Sequence, residues 1–287
     1  MWLRQRFVLC SLLLLAFTAA ASPDPHLSLW GHLVPGGMVR GTVAPKWQLF
    51  LDEKPVVVNR HGRFAFGFGR DQTGAHWLDA KHPSGTHFRF KLIVNKRQFA
   101  IQRIDGLPPQ QVTPTAPEIL RRIRAEAKRV HEARTIVSQS EGFWQQFIRP
   151  AEGKISGVYG SQRILNGEPK RPHFGEDIAA PVGQPVKACA DGIVRLAASD
   201  LYFSGGTIII DHGAGISSSY LHLSEVLVKV GQKVRQGEQI GRVGQTGRAT
   251  GPHLDWRLNW FDVRLDPRLA VAPDWPPIQP VEVIHVQ

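Results

Sequence analysis

The sequence predicts a mainly β protein, with a sandwich-like amino-terminal β domain, a linker helix, and a carboxyl-terminal domain built on an antiparallel β-sheet. From about His26 to Gln111, short alternating stretches such as GRFAFGFG and THFRFKLIV are separated by glycine, proline and aspartate. Good helix formers follow in EILRRIRAEAKRVHEAR. From Glu152 to Leu269, apolar runs such as GTIIIDHGAG close on glycine turns. Short strands with turn signals at this spacing are typical of sandwiches and related β-folds.

The first 21 residues have the three-part pattern of a secretory signal peptide. MWLRQR is cationic, FVLCSLLLLAF is apolar, and TAAAS supplies small residues, so we expect cleavage after Ala21. The apolar run is shorter than the ~20 residues that a membrane-spanning helix needs. The sequence therefore predicts an exported protein without a stable membrane anchor.

Charge and cysteine content narrow the expected partners. The formal net charge of +11 falls to +9 when Arg4 and Arg6 leave with the signal peptide. For an exported protein we expect no nucleic-acid partner, and a polyanionic cell envelope suits the positive charge better. A solvated basic surface without a specific role stays open as the alternative. Only Cys189 remains after cleavage, so the fold must depend on a packed core rather than on an intrachain disulfide.

Composition shifts suggest four segments after the signal peptide. We expect a β-rich domain over 22–112, a proline-rich connector and linker helix over 113–147, a second β-rich domain over 148–272 and a tail over 273–287. The apolar stripe of the helix should pack on a neighbouring domain. The histidines of the first domain share no ligand spacing, which favours a recognition or spacer module there; they are His61, His76, His82 and His87.

The residues suited to chemistry fall in three stretches, RPHFGEDIAAPVGQPV, SSSYLHLS and TGRATGPHLDWRL. Side chains two apart on a strand share a face, so His253 and Asp255 should point the same way, away from the apolar residues between and after them. His222 lies on a similarly alternating strand. His173 and Asp177 are four apart, but the intervening glycine argues against a helix, so we expect them to converge through a loop or strand bend.

Histidine and carboxylate groups are the ligands of a catalytic zinc site, which uses three protein groups and leaves one position for water. Bound zinc lowers the pKa of that water to ~7, and a neighbouring histidine can act as a base. The serine-hydrolase signature G-x-S-x-G does not occur in the sequence, and neither does H-E-x-x-H, the signature of another class of zinc proteases. Metal-assisted hydrolysis is therefore the favoured chemistry.

The motifs HFGED, YLHLS and TGRATGPHLD occur in this order, with DGIV and glycine hairpins between them. This set of motifs resembles the lysostaphin/LytM-type zinc metallopeptidases, which cut peptide cross-links in bacterial cell walls. The resemblance covers roughly Gly153 to Pro267. The upstream ISGVYGSQRILNGEPKRPHFG is similar to an exported Gram-negative subgroup with a β-rich domain and a helix before the peptidase. It implies that 148–272 is a peptidase domain, that the protein is periplasmic and that peptidoglycan is its partner.

The resemblance also implies a role for each site residue. His173 and Asp177 would be zinc ligands, and His222 and His253 would be the catalytic histidines that do not bind the metal. The third family ligand is the second histidine of an H-x-H pair, and here that position is Asp255. A carboxylate oxygen also binds zinc, at ~2.0–2.2 Å, but two carboxylates would neutralise the ion more fully than one.

Two functions remain open at this point. If Asp255 is the third ligand, the protein is a zinc-dependent endopeptidase acting on peptidoglycan cross-links or stem peptides. If the site is degenerate, it is a non-cleaving protein that binds the wall or activates other wall hydrolases. We favour the enzyme, because four of the five positions keep the expected residue type and the fifth is another competent ligand.

Overall fold

The computed structural model describes residues 23–107 and 112–286. The predicted signal peptide therefore lies outside the described residues. Within them the protein is mainly β, with antiparallel sheets and one long helix, so the predicted fold class is confirmed. In the same described part, no helix is both long enough and apolar enough to cross a membrane.

The strands are β1 Ser28–Gly31, β2 Met38–Thr42, β3 Gln48–Leu51, β4 Lys54–Val56, β5 Arg63–Gly67, β6 Gly74–Lys81, β7 His87–Val94, β8 Ile101–Ile104, β9 Lys154–Gly157, β10 Gln162–Leu165, β11 Glu168–Pro169, β12 Glu176–Ala179, β13 Pro185–Lys187, β14 Gly192–Leu201, β15 Gly205–Gly213, β16 Ile216–Leu223, β17 Glu225–Val226, β18 Lys233–Val234, β19 Gln239–Arg242, β20 His253–Trp260, β21 Val263–Leu265, β22 Pro277–Ile278 and β23 Glu282–Val286. The helices are α1 Pro117–Thr135 and α2 Pro267–Ala270, with a 3₁₀ turn at Gly142–Trp144.

Two antiparallel sheets form the amino-terminal region, with strand orders β22-β1-β2-β5 and β23-β7-β6-β3-β4. The aromatic alternation seen in the sequence directs Phe64, Phe66 and Phe68 into a buried core. Residues 273–287, expected to be a tail, supply an edge strand to each sheet, because β22 pairs with β1 and β23 pairs with β7. Each of these two sheets therefore combines amino-terminal strands with one strand from the carboxyl-terminal end of the described chain.

The second region is built on an eight-stranded sheet, in which β18-β14-β15-β16-β20-β12-β9 are neighbours and β21 pairs with β20. Strand β20 alternates as the sequence predicts, since Leu254, Trp256 and Leu258 are fully buried in the core. Helix α1 packs on β14 and β15, where Ala133 contacts a small cluster with Leu196 and Ile209. The last turn of the helix therefore packs on the sheet that carries the predicted site.

A small three-stranded sheet, β11-β10-β8, joins the two regions beside that site. Strand β8 pairs parallel with β10, so that Gln102 lies opposite Arg163. Further contact is aromatic, because the rings of Phe66 and Trp260 meet edge-on with their centroids 6.4 Å apart. The region before the connector therefore borders the carboxyl-terminal sheet directly.

Candidate metal centre

The two predicted carboxylate ligands lie on adjacent strands in the middle of the large sheet. The register of β12 and β20 places Asp177 directly opposite Asp255, and both carboxylates are buried. Side chains directly opposite in an antiparallel pair have Cβ atoms about 4.5–5.5 Å apart, and like charges there repel. The strand pairing therefore creates a negatively charged pair that requires a cation or cationic side chains.

His173 reaches the same point from the irregular segment that precedes β12. Its backbone is fixed on both sides, because its N–H donates to the Ser161 carbonyl (2.8 Å) and its carbonyl accepts from Gly160 N (2.7 Å). His173 Nε2 lies 3.1 Å from Asp177 Oδ1. His173, Asp177 and Asp255 each offer one atom that could bind a metal ion, and these three atoms lie within 4.8 Å of one another.

This donor set fits a divalent metal ion. Both ring nitrogens of His173 and Asp177 Oδ1 are buried and lack a hydrogen-bond partner among the described residues. Buried polar atoms of native proteins are nearly always hydrogen-bonded, so a converging group without partners calls for an explanation. An imidazole nitrogen and carboxylate oxygens are accepted zinc ligands, and a bound cation would satisfy one ring nitrogen of His173 together with Asp177 Oδ1.

Each carboxylate is also held by one arginine. Arg163 Nη2 donates to Asp177 Oδ2 at 3.1 Å. Arg257 forms a two-pronged contact with Asp255, with Nε to Oδ1 at 2.9 Å and Nη2 to Oδ2 at 2.6 Å. Burial works to raise the pKa of Asp255, but the adjacent Arg257 guanidinium, through its charge and its hydrogen bonds, holds that pKa well below its usual range. Asp255 is therefore a carboxylate at neutral pH.

The two remaining histidines present the same nitrogen to the site. His222 Nδ1 donates to the Thr246 carbonyl at 2.7 Å, and His253 Nδ1 donates to the Gly251 carbonyl at 2.8 Å. Because a carbonyl only accepts, each Nδ1 carries the hydrogen and each Nε2 of the neutral ring keeps a free lone pair. The ring centroids are 4.7 Å apart, and His253 Nε2 lies 3.9 Å from Asp177 Oδ1.

His222 is set in an unusual environment. Its φ of 65° is in the left-handed region, which costs energy for a residue with a side chain and is found most often at functional sites. Burial, together with the neighbouring His253, lowers the pKa of His222 to about 4. The ring is therefore uncharged at neutral pH and able to accept a proton.

Two glycines provide the space for the carboxylates. A Cβ atom on Gly175 would overlap Asp255 Oδ1 and come within 2.8 Å of Arg257 Cγ, and one on Gly157 would overlap Asp177 Oδ2. Neither glycine has a positive φ, so the restriction comes from space and not from backbone conformation. Both positions are closed to any larger residue while the carboxylates keep these places.

A cleft of about 300 Å³ opens onto the site. Its walls include Asp177, His222 and His253, the 248–252 segment, and Gln102 and Ile104 of β8. Arg163 and Arg248 also line it. The cleft is therefore an open, positively lined groove whose wall includes residues from before the connector.

All five residues predicted from the sequence meet at this place, and their roles remain predictions. Sequence reasoning missed Arg163, Arg257 and the two glycines. Arg257 follows Asp255 by two residues on the same strand face, a signal that was present in the sequence, whereas Arg163 has no such signal. His212, in contrast, lies in the core, where its Nδ1 donates to the Asp191 carbonyl at 2.7 Å and its Nε2 lies 2.7 Å from Ser218 Oγ.

Comparison with known proteins agrees with this geometry. The family model "Peptidase family M23" matches residues 171–267, which contain all five site residues. A crystal structure from Pseudomonas aeruginosa, described as a peptidase M23, is 31% identical, with a TM-score of 0.66, and the match covers 83% of this chain and 94% of that one. The chain belongs to peptidase family M23.

Two curated relatives from Vibrio cholerae match the M23 region of the chain. Peptidoglycan DD-endopeptidase ShyA is 42% identical over 117 residues, which are 40% of this chain and 27% of that protein. Peptidoglycan DD-endopeptidase ShyC is 37% identical over 122 residues, or 42% of this chain and 28% of that protein. The similarity thus spans just over a quarter of the length of each of these two relatives.

Proposed function

We propose that this chain is a zinc-dependent endopeptidase that hydrolyses peptide bonds in the cross-links or stem peptides of bacterial peptidoglycan. The observation that carries the proposal is the buried convergence of His173, Asp177 and Asp255. Within it, the ring nitrogens of His173 and Asp177 Oδ1 have no hydrogen-bond partner among the described residues. Membership of family M23 and the names of the two Vibrio cholerae relatives support peptidoglycan as the substrate.

In this proposal His173, Asp177 and Asp255 hold the zinc ion. Zinc, when bound, supplies a Lewis acid that polarises a carbonyl and makes water more acidic. His222 and His253 present free Nε2 atoms to the same space, so they can accept a proton and return it to the leaving amine. A protonated histidine there can also donate a hydrogen bond to the oxyanion that develops on the scissile carbonyl.

The proposed location is the periplasm. Its support is the amino-terminal sequence pattern together with the resemblance to exported Gram-negative members, and residues 1–21 are outside the described part of the structure. Export after cleavage at Ala21 would leave an amino terminus at Ser22, which mass spectrometry of the protein purified from the periplasm can measure. The basic charge then favours contact with the anionic cell envelope.

Digestion of purified sacculi tests the function directly. We expect the mature protein to release soluble peptide-linked fragments, to lose this activity with a chelator, and to regain it when zinc is returned. Product masses identify the peptide bond that is cut. Release of fragments that persists in the chelator, or an absence of release by protein shown to contain zinc, would contradict the proposal.

Histidine variants separate the enzyme from the non-cleaving alternative. His222→Ala should reduce the rate about 10²–10⁴-fold, the usual contribution of a general acid–base group, while zinc content stays at the wild-type value. His131→Ala is the matched control, because that histidine is on the exposed surface of helix α1, where it contacts Asp262. A wild-type protein that binds sacculi and contains no zinc would indicate the wall-binding or hydrolase-activating function instead.

A further inference from the structure

The contact between Asp255 and Arg257 raises a question that the proposed metal site does not answer. Asp255 stands where the resemblance implies a neutral imidazole, so this chain has one more negative charge among its ligands. The register then places that charge directly opposite a second carboxylate, Asp177. Something in the chain must compensate for two buried carboxylates that face each other.

Arg257 is placed to do this for Asp255. Residues two apart on a strand share a face, and the guanidinium donates to both carboxylate oxygens, at 2.9 and 2.6 Å. A carboxylate offers about four acceptor positions, of which the two bonds use two. Each oxygen therefore keeps a lone pair for a second partner, and the arginine does not prevent Asp255 from binding a metal.

The surroundings hold the arginine in this position. Gly175 lies against both members of the pair, since a Cβ atom there would meet the Asp255 carboxylate and Arg257 Cγ. Two further cations lie near the pair, Arg134 of helix α1 and Arg264 of β21. Burial lowers the pKa of each of these two arginines, and the nearby charge of Arg257 lowers it further. Asp255 is the carboxylate that pairs directly with Arg257.

We propose that Arg257 is a positioning residue that orients Asp255 and offsets its charge, so that the Asp255–Arg257 pair acts as one nearly neutral metal ligand. The proposal rests on the proposed zinc site. A positive charge so close to the ion opposes its binding, and a neutral ligand in place of Asp255 would leave this charge uncompensated. Arg257 therefore lowers the zinc affinity moderately while it is paired with Asp255. It lowers the affinity much more when a neutral ligand replaces Asp255.

The test measures the zinc dissociation constant by chelator competition on the mature protein and on variants. Arg257→Gln keeps one hydrogen-bond donor but removes the charge, so we expect zinc to bind at least about tenfold more tightly. Arg257→Lys keeps the charge but loses the two-pronged contact, so it should show none of this gain in zinc affinity. Arg264→Gln is the matched control, because it removes a neighbouring cation that donates to Asn259 and not to Asp255; it should stay within about threefold of the wild type.

A second pair of variants tests the same pairing from the other side. Asp255→His supplies a competent ligand beside an unpaired arginine, and should weaken zinc binding at least about tenfold. Adding Arg257→Gln to it should recover most of that loss. If Asp255→His binds zinc equally well with and without Arg257→Gln, or if Arg257→Gln alone leaves zinc affinity unchanged or weaker, the inference is overturned while the zinc site stands. A wild type that binds no zinc overturns the proposed function as well.

Discussion

At the scale of single residues, the site depends on how closely the backbone approaches two carboxylates. Gly175 is part of the HFGED stretch, where the sequence indicated only that a helix was unfavourable. In the structure it leaves the volume that Asp255 and Arg257 occupy. A residue without a side chain gives no sequence signal of what lies above it, which is why this role could not be predicted.

Gly175→Ala should therefore bind zinc more weakly. The added Cβ atom would displace the Asp255 carboxylate or the backbone of Trp256, and we expect at least about a tenfold rise in the zinc dissociation constant, the size of effect seen when ligand support is removed. Gly251→Ala is the control, because its Cβ would meet nothing within 4 Å and its φ is not positive. Equal zinc affinity of the two variants would contradict this account of Gly175.

The same scale shows how far sequence reasoning reaches. The alternation in β20 predicted correctly that His253 and Asp255 share a face. It could not predict that Asp177 would lie opposite Asp255, because strand register between segments about 80 residues apart depends on the whole sheet. The left-handed φ of His222 was equally hidden, since it is imposed by the surrounding structure and not by a local preference for this conformation.

At the scale of elements, helix α1 supports the site from behind. The amphipathic pattern predicted packing on a neighbouring domain, and the helix lies on β14 and β15 of the sheet that holds the site. Its fully covered positions are few, Ala133 and Arg134, so the contact is concentrated in the last turn. The sequence predicted the apolar face but not this concentration, because Ile119, Leu120 and Ile123 continue the apolar pattern and yet are only half-buried.

Ala133→Asn should destabilise the protein through this contact. Ala133 packs with Leu196, Leu201 and Ile209, and an amide buried among them without a partner costs about 1–3 kcal/mol of the free energy of unfolding. Ala125→Asn makes the same change on an exposed position of the helix, where the cost is the helix-propensity difference of about 0.7 kcal/mol or less. Denaturant unfolding of both variants measures the difference, and similar losses would show that the contact contributes little.

At the scale of the whole molecule, the chain closes on itself. Strands β22 and β23 return to the amino-terminal sheets. Just before β22, Trp275 stacks on Arg40, with the guanidinium 3.9 Å from the ring centroid. Arg40 also donates to the Gln145 carbonyl at 2.7 Å. The sequence predicted a tail over 273–287, but β22 pairs with β1 and β23 pairs with β7. This pairing joins segments at opposite ends of the described chain, which local sequence does not reveal.

Trp275→Ala should weaken this closure. It removes a stacked ring from a largely buried guanidinium, an interaction of about 2 kcal/mol when desolvated. Trp275→Phe keeps an aromatic face over Arg40 and should recover part of the loss. Thermal unfolding of the three proteins checks the order of stability, which we expect to be wild type, then Trp275→Phe, then Trp275→Ala; a Trp275→Ala protein as stable as the wild type would show that the stack is incidental.

The net charge makes a prediction for the molecule as a unit. The predicted mature chain carries +9, and attraction between a basic protein and an anionic wall is screened by salt over a Debye length that shrinks from about 10 Å at 0.1 M to about 3 Å at 1 M. Binding of the His222→Ala variant to sacculi should therefore decrease steeply as salt is raised; the inactive variant is used so that the surface is not digested during the measurement. Sucrose at equal osmolality separates charge screening from general solvent effects and should leave binding unchanged. If salt leaves binding unchanged too, the affinity for the wall comes from the cleft and its peptide, and the surplus of lysine and arginine is only a solvated surface.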